Sequence, residues 1–185
     1  PSVPAEARCR HERGGCARRV KGPVRQGLTL PGNRACEQAG ACPLVSVTAA
    51  HRLFALAGLQ HGETVLIMGA GSGVGMMAVQ MAKLAGARVM TTVGSDDKIP
   101  KAVTLGADAV INHTREKVAE CVKLLTEGCG VDVVIEHIGP EVWDTCLHSL
   151  GKGGRLITCG ATTGGEVKRD LRSVFLHQLT IKVSY

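Results

Sequence analysis

The chain has 185 residues, 44% of them hydrophobic and 21% charged, with a formal net charge of +6, which suits one globular core plus a further segment. No apolar run reaches the ~18 residues of a membrane-spanning helix and no stretch resembles a signal peptide, so a cytoplasmic protein without a membrane partner is expected.

The first segment, 1–43, carries eight basic groups against three acidic ones, a net +5 that leaves +1 for the rest. Its arginines are interleaved with Gly, Pro and Cys rather than with stacking aromatics, which argues for a solvated, poorly ordered segment and against a nucleic-acid arm. Cys9, His11 and Cys16 fit no recognised zinc spacing, and the eight cysteines contain no CxxC pair. They read as free thiols in a reducing compartment.

From residue 49 the pattern becomes a regular alternation. Apolar helical spacing predicts a helix over 49–56, and 58–62 is a turn. An apolar run at 64–68 predicts a buried strand, followed by glycines at 69, 71, 73 and 75 and a helix over 74–84. Further strands are predicted at 88–93, 109–112, 131–136 and 155–159, with a sixth starting at 180–184. The intervening helices begin near Lys98 (stopping at Gly106) and span 116–125, 142–150 and 171–179. Strands alternating with helices imply parallel pairing and right-handed crossovers. The expected fold is α/β, a doubly wound parallel sheet of Rossmann type. Aromatics are scarce, so its core must be built from Val, Leu, Ile, Ala and Met.

Ligands in such sheets lie at the carboxyl ends of the strands. The turn after the first strand holds Gly71, Ser72, Gly73, Val74 and Gly75, where bare backbone lets a pyrophosphate approach the free N–H groups of a helix N-terminus. Glycines at i, i+2 and i+5 occur in no register here, so the motif departs from the strict dinucleotide pattern. Four of the five strand-end loops carry glycine, as a dinucleotide lying across them requires.

The run HGETVLIMGAGSGVGMMAVQMAKLAGARVMTTVGSDDK, followed by LGADAVIN, GVDVVIEHIG, LGKGGRLITCGATTG and DLRSVFLHQLTI, resembles the cofactor domain of medium-chain dehydrogenase/reductases. The likeness is to their quinone oxidoreductase and zinc-type alcohol dehydrogenase-like branch, and it runs from Pro43 to Ser184. In that branch an AxxGxG turn replaces the strict glycine pattern, and Ala70, Gly73 and Gly75 match it. The resemblance implies two regions: 1–43, a remnant of the end of a preceding catalytic β domain and linker, and 44–185, the dinucleotide-binding domain. It also implies an oxidoreductase that moves hydride between a nicotinamide cofactor and a quinone, enone or carbonyl substrate. Thr48, Ile138, Gly139 and Gly160 are then expected at the cofactor, with Thr48 near the nicotinamide.

NAD-preferring sites place a carboxylate at the end of the second strand, for the ribose hydroxyls. By family register that position is Val93, with Ser95 and Lys98 after it and His113 past the third strand, so NADP(H) is favoured over NAD(H). Asp96 and Asp97 count against this if the turn is registered differently. The position of the catalytic zinc-binding cysteine falls on Leu44, so no zinc is expected. The family's larger catalytic domain is not seen in the sequence, so the isolated chain is expected to be weakly active or inactive, and its uncovered apolar surface points to self-association. A non-catalytic nucleotide-binding module is the alternative. A methyltransferase using S-adenosylmethionine is disfavoured, because it too wants a carboxylate where Val93 stands. A short-chain reductase is disfavoured because no Tyr-x-x-x-Lys exists.

Overall fold

The computed structural model describes residues 36–168 and 171–184. The basic segment over 1–35, with Cys9, His11 and Cys16, lies outside the described residues, as does most of the expected remnant over 1–43. Helix α1 spans Cys36–Ala50 with Pro43 inside it, and a π-helical turn, His51–Leu56, continues it. The helix expected over 49–56 is thus the wider-wound end of a longer one. Its signature is the bond from Ala57 N–H to the Arg52 carbonyl, five residues back.

The strands are β1 (Thr64–Ile67), β2 (Arg88–Val93), β3 (Ala109–Asn112), β4 (Val131–Glu136), β5 (Leu150–Thr158) and β6 (Thr180–Val183). Between them run α2 (Gly73–Leu84), α3 (Ile99–Thr104), α4 (Val118–Leu125), α5 (Pro140–Ser149) and α6 (Leu171–Leu176). All pairings are parallel, in the order β3-β2-β1-β4-β5-β6. The expected doubly wound sheet is therefore present. β5 begins five residues earlier than expected, because Leu150 pairs with Val131 before a bulge restores register at Val133 and Arg155.

Side chains alternate to two apolar layers. Val65, Ile67, Val133, Ile135 and Ile157 pack under α2 with Ala78, Val79 and Ala82. Leu66, Met68, Met90, Val134 and Leu156 pack on the other face with Val122, Cys146 and Leu147. Such strands, buried on both faces, read in sequence as near-continuous apolar runs. The Glu63 carboxylate accepts from Arg155 at 2.6 Å and ties the start of β1 to β5 across β4. Among the described residues no helix is long and apolar enough to cross a membrane.

Candidate functional site

The chain leaves β1 toward β2 and β3, then returns to the other flank of β1 with β4. The crossovers diverge at that point, which opens a crevice above the carboxyl ends of β1 and β4. A cleft of about 260 Å³ bordered by Thr64, Arg88 and Asp132 lies at the opposite, amino-terminal edge and is no part of this crevice.

The turn after β1 is built to present the start of α2. Gly69 N–H donates to Thr92 Oγ1 at 2.9 Å, and Ala70 N–H to the Thr92 carbonyl, which pins the turn to β2. Ser72 is the N-cap: its hydroxyl donates to the Gly69 carbonyl and accepts from Gly75 N–H at 2.9 Å. One orphan donor of the first turn is thus satisfied, and those of Gly73 and Val74 have no partner within the helix. Glycine is required at 75, since a Cβ there would run into the Gly69 carbonyl; a Cβ at 71 would meet nothing within 4 Å. Helix packing therefore consumes Gly75, whereas Gly71 leaves open space above the N-terminus of a twelve-residue helix. The cradle fits a pyrophosphate.

At the end of β2, Val93 is 3% exposed and belongs to the core. Ser95 is half-buried and Lys98 exposed, at either end of a short 3-10 turn. His113 is exposed, with its ring against Gly94, 3.5 Å from where a Cβ would stand. Ser95, Lys98 and His113 thus gather at one corner. Asp96 does not stand free there, because Asn112 and Arg115 both donate to its carboxylate and hold it below the usual range.

The loops after β4 and β5 are fastened to each other. Gly139 has φ +100°, and a Cβ on it would sit 3.0 Å from Ala161 Cα. A Cβ on Gly160 would sit 2.5 Å from the His137 carbonyl. The Ile138 carbonyl accepts from Thr163 N–H and from the hydroxyls of Thr162 and Thr163. Ile138, Gly139 and Gly160 are thus brought together at one wall. Thr48 lies in α1 with its hydroxyl donating to the Leu44 carbonyl at 2.8 Å, and Leu44 is exposed.

Two charged groups beneath the crevice escaped the sequence reading. Glu136, fully buried, accepts from Ile138 N–H and Gly139 N–H, both at 2.8 Å, through one oxygen, and its other oxygen has no partner. Arg52 is 2% exposed with Nε and Nη1 unpartnered; burial depresses its guanidinium, against the pull of Glu136. His137, beside Gly69, is pushed below its ordinary value by burial and by the Arg52 charge, so its imidazole is neutral at pH 7. The signal was available in sequence, an acidic residue closing the apolar run 133–135, but the arginine that faces it is 84 positions earlier.

Residues 73–185 match the zinc-binding dehydrogenase family. The chain belongs to that family. It is a cofactor-binding domain of the medium-chain dehydrogenase/reductase superfamily. A quinone oxidoreductase of Salmonella typhimurium is 36% identical over 135 residues, 73% of this chain and 41% of that protein. The crystal structure of an NAD-dependent alcohol dehydrogenase superposes with a TM-score of 0.83 at 38% identity, over 87% of this chain and 47% of that one. Escherichia coli quinone oxidoreductase complexed with NADPH superposes with a TM-score of 0.79 at 30% identity, over 86% and 49%. The chain spans less than half the length of each of these three. In this chain's turn, which departs from the strict dinucleotide pattern, Gly75 takes the helix-packing role.

Proposed function

We propose that this chain is the cofactor-binding part of an NADP(H)-dependent oxidoreductase acting on a quinone, enone or carbonyl compound. The observation that carries the reading is the open, Ser72-capped start of α2 at the divergence of the crossovers, with bare backbone at Gly71. When bound, the cofactor supplies hydride. The chain's own residues do the rest: Gly73 and Val74 N–H groups receive the pyrophosphate, and Ser72 fixes their direction. Glu136 sets the backbone at Ile138 and Gly139, which forms the nicotinamide wall together with Gly160. His137, neutral, adds no charge to that wall.

NADP(H) over NAD(H) is supported by Val93, whose burial leaves no carboxylate at the strand end, and by Ser95, Lys98 and His113 around the corner. Zinc independence is supported by Leu44, a side chain that cannot ligate a metal. The substrate carbonyl is then polarised by hydrogen bonds. A small-molecule substrate, a cytoplasmic setting and assembly with a second copy complete the proposal, with 44–185 as the dinucleotide-binding region. The test is titration of the chain with NADPH and NADH by cofactor fluorescence. NADPH should bind more tightly, and Lys98→Ala should weaken NADPH more than NADH; absence of binding by either cofactor defeats the reading.

A further inference from the structure

Asp96 stands three residues past the end of β2, in the turn that meets the adenosine ribose in a sheet of this topology. A carboxylate there would ordinarily accept from the ribose hydroxyls. This one is already engaged: Oδ1 accepts from Asn112 Nδ2 at 2.6 Å and Oδ2 from Arg115 Nη1 at 2.5 Å.

Asn112 cannot release it by turning over. Its side-chain oxygen accepts from Thr114 N–H at 3.1 Å and from Thr114 Oγ1 at 2.7 Å, so only its NH₂ can point at Asp96. Its own backbone N–H donates to Glu116 Oε2 at 2.8 Å, and the residue is 3% exposed. The buried amide therefore fixes one side of the Asp96 carboxylate, and the free side is aimed at Arg115. The guanidinium has five N–H donors; one is on Asp96 and the side chain is 71% exposed, so most of the fork faces solvent at the exit of β2. A planar, oriented fork is the group best matched to phosphate oxygens.

We propose that Arg115 is a specificity-determining residue that binds the 2′-phosphate of NADP(H), and that Asp96 serves as its bracket rather than as a ribose acceptor. The proposal rests on the NADP(H) reading above. Asn112 seats the bracket and Asp96 aims the fork, while Lys98 and Ser95 close the other side of the phosphate. Both Asp96 and Arg115 are exposed, so their variants leave the core intact.

The experiment is fluorescence titration of the full chain with NADPH and NADH, together with displacement by 2′,5′-ADP and by 5′-AMP. Arg115→Ala should weaken NADPH and 2′,5′-ADP by about tenfold or more and leave NADH and 5′-AMP within about twofold. Asp96→Ala should leave NADH affinity unchanged, because no ribose hydroxyl is lost. A wild-type chain that holds NADH as tightly as NADPH overturns the cofactor reading and this assignment together. A wild type that prefers NADPH, with an Arg115→Ala variant that keeps the preference, overturns the assignment of Arg115 alone. Loss of NADH affinity in Asp96→Ala overturns the bracket role.

Discussion

At the scale of single residues, two glycines of the same turn have opposite sensitivities. Gly75 is spent on packing: Gly75→Ala forces a methyl group into the Gly69 carbonyl, and should cost about 1 to 3 kcal/mol of stability, read as a lowered urea midpoint. Gly73 stands at the first position of α2, where an acidic side chain suits the helix dipole but repels a pyrophosphate. Gly73→Asp should therefore fold normally and lose NADPH binding in a fluorescence titration. A folded variant with unchanged affinity would remove the pyrophosphate from this turn. The glycines were legible in sequence because their number and spacing are chemical requirements. Which one packs and which one opens was not, since that depends on where the Gly69 carbonyl lies.

At the scale of elements, the central strands were legible because most of their residues are apolar and buried between helix layers, as in β4, where only Asp132 and Glu136 are charged. The errors fell where backbone geometry overrides composition. Gly151, Gly153 and Gly154 hid the first residues of β5, whose early pairing relies on a bulge. The π-helical turn at His51–Leu56 has no composition of its own; Lys182 Nζ caps its Leu56 carbonyl from β6 at 2.7 Å, a partner 126 positions away. The tie between β1 and β5 makes a testable element-level claim. Burial pushes the Glu63 carboxyl up, but hydrogen bonds from Arg155 and from Gln60 N–H outweigh it and hold it below the ordinary glutamate value. Its folded value being lowered, the stabilisation is complete above the unfolded value and is lost as pH falls through the folded one. The urea midpoint should drop between about pH 5 and pH 3, and Arg155→Ala should shrink that drop while lowering stability at pH 7 by roughly 1.5 to 3 kcal/mol. An unaltered pH dependence in the variant would show that the pair does not join the strands energetically.

For the whole molecule, the chain supplies a cofactor-binding domain and spans less than half the length of the relatives it matches. Hydride transfer between two bound molecules needs both held in place. The isolated chain should therefore bind NADPH while oxidising it with quinones or enones well below the usual enzyme range of roughly 1 per second; faster turnover would mean that a second copy or the first segment completes the pocket. β6 is exposed along its length, with Ile181 and Val183 uncovered, so sedimentation should show association that grows with concentration. The wall formed by the loops after β4 and β5 has a consequence in time as well as in space. Neither loop can open alone: lifting 138–139 strips Glu136 of its donors and frees Thr163, and lifting 160–163 exposes the Ile138 carbonyl. The amides of Ile138, Gly139 and Thr163 should consequently exchange with deuterium at one shared rate, a single cooperative unit slowed together by bound nucleotide. Separate rates for Thr163 and Gly139 in an amide-exchange experiment would show two independent loops instead.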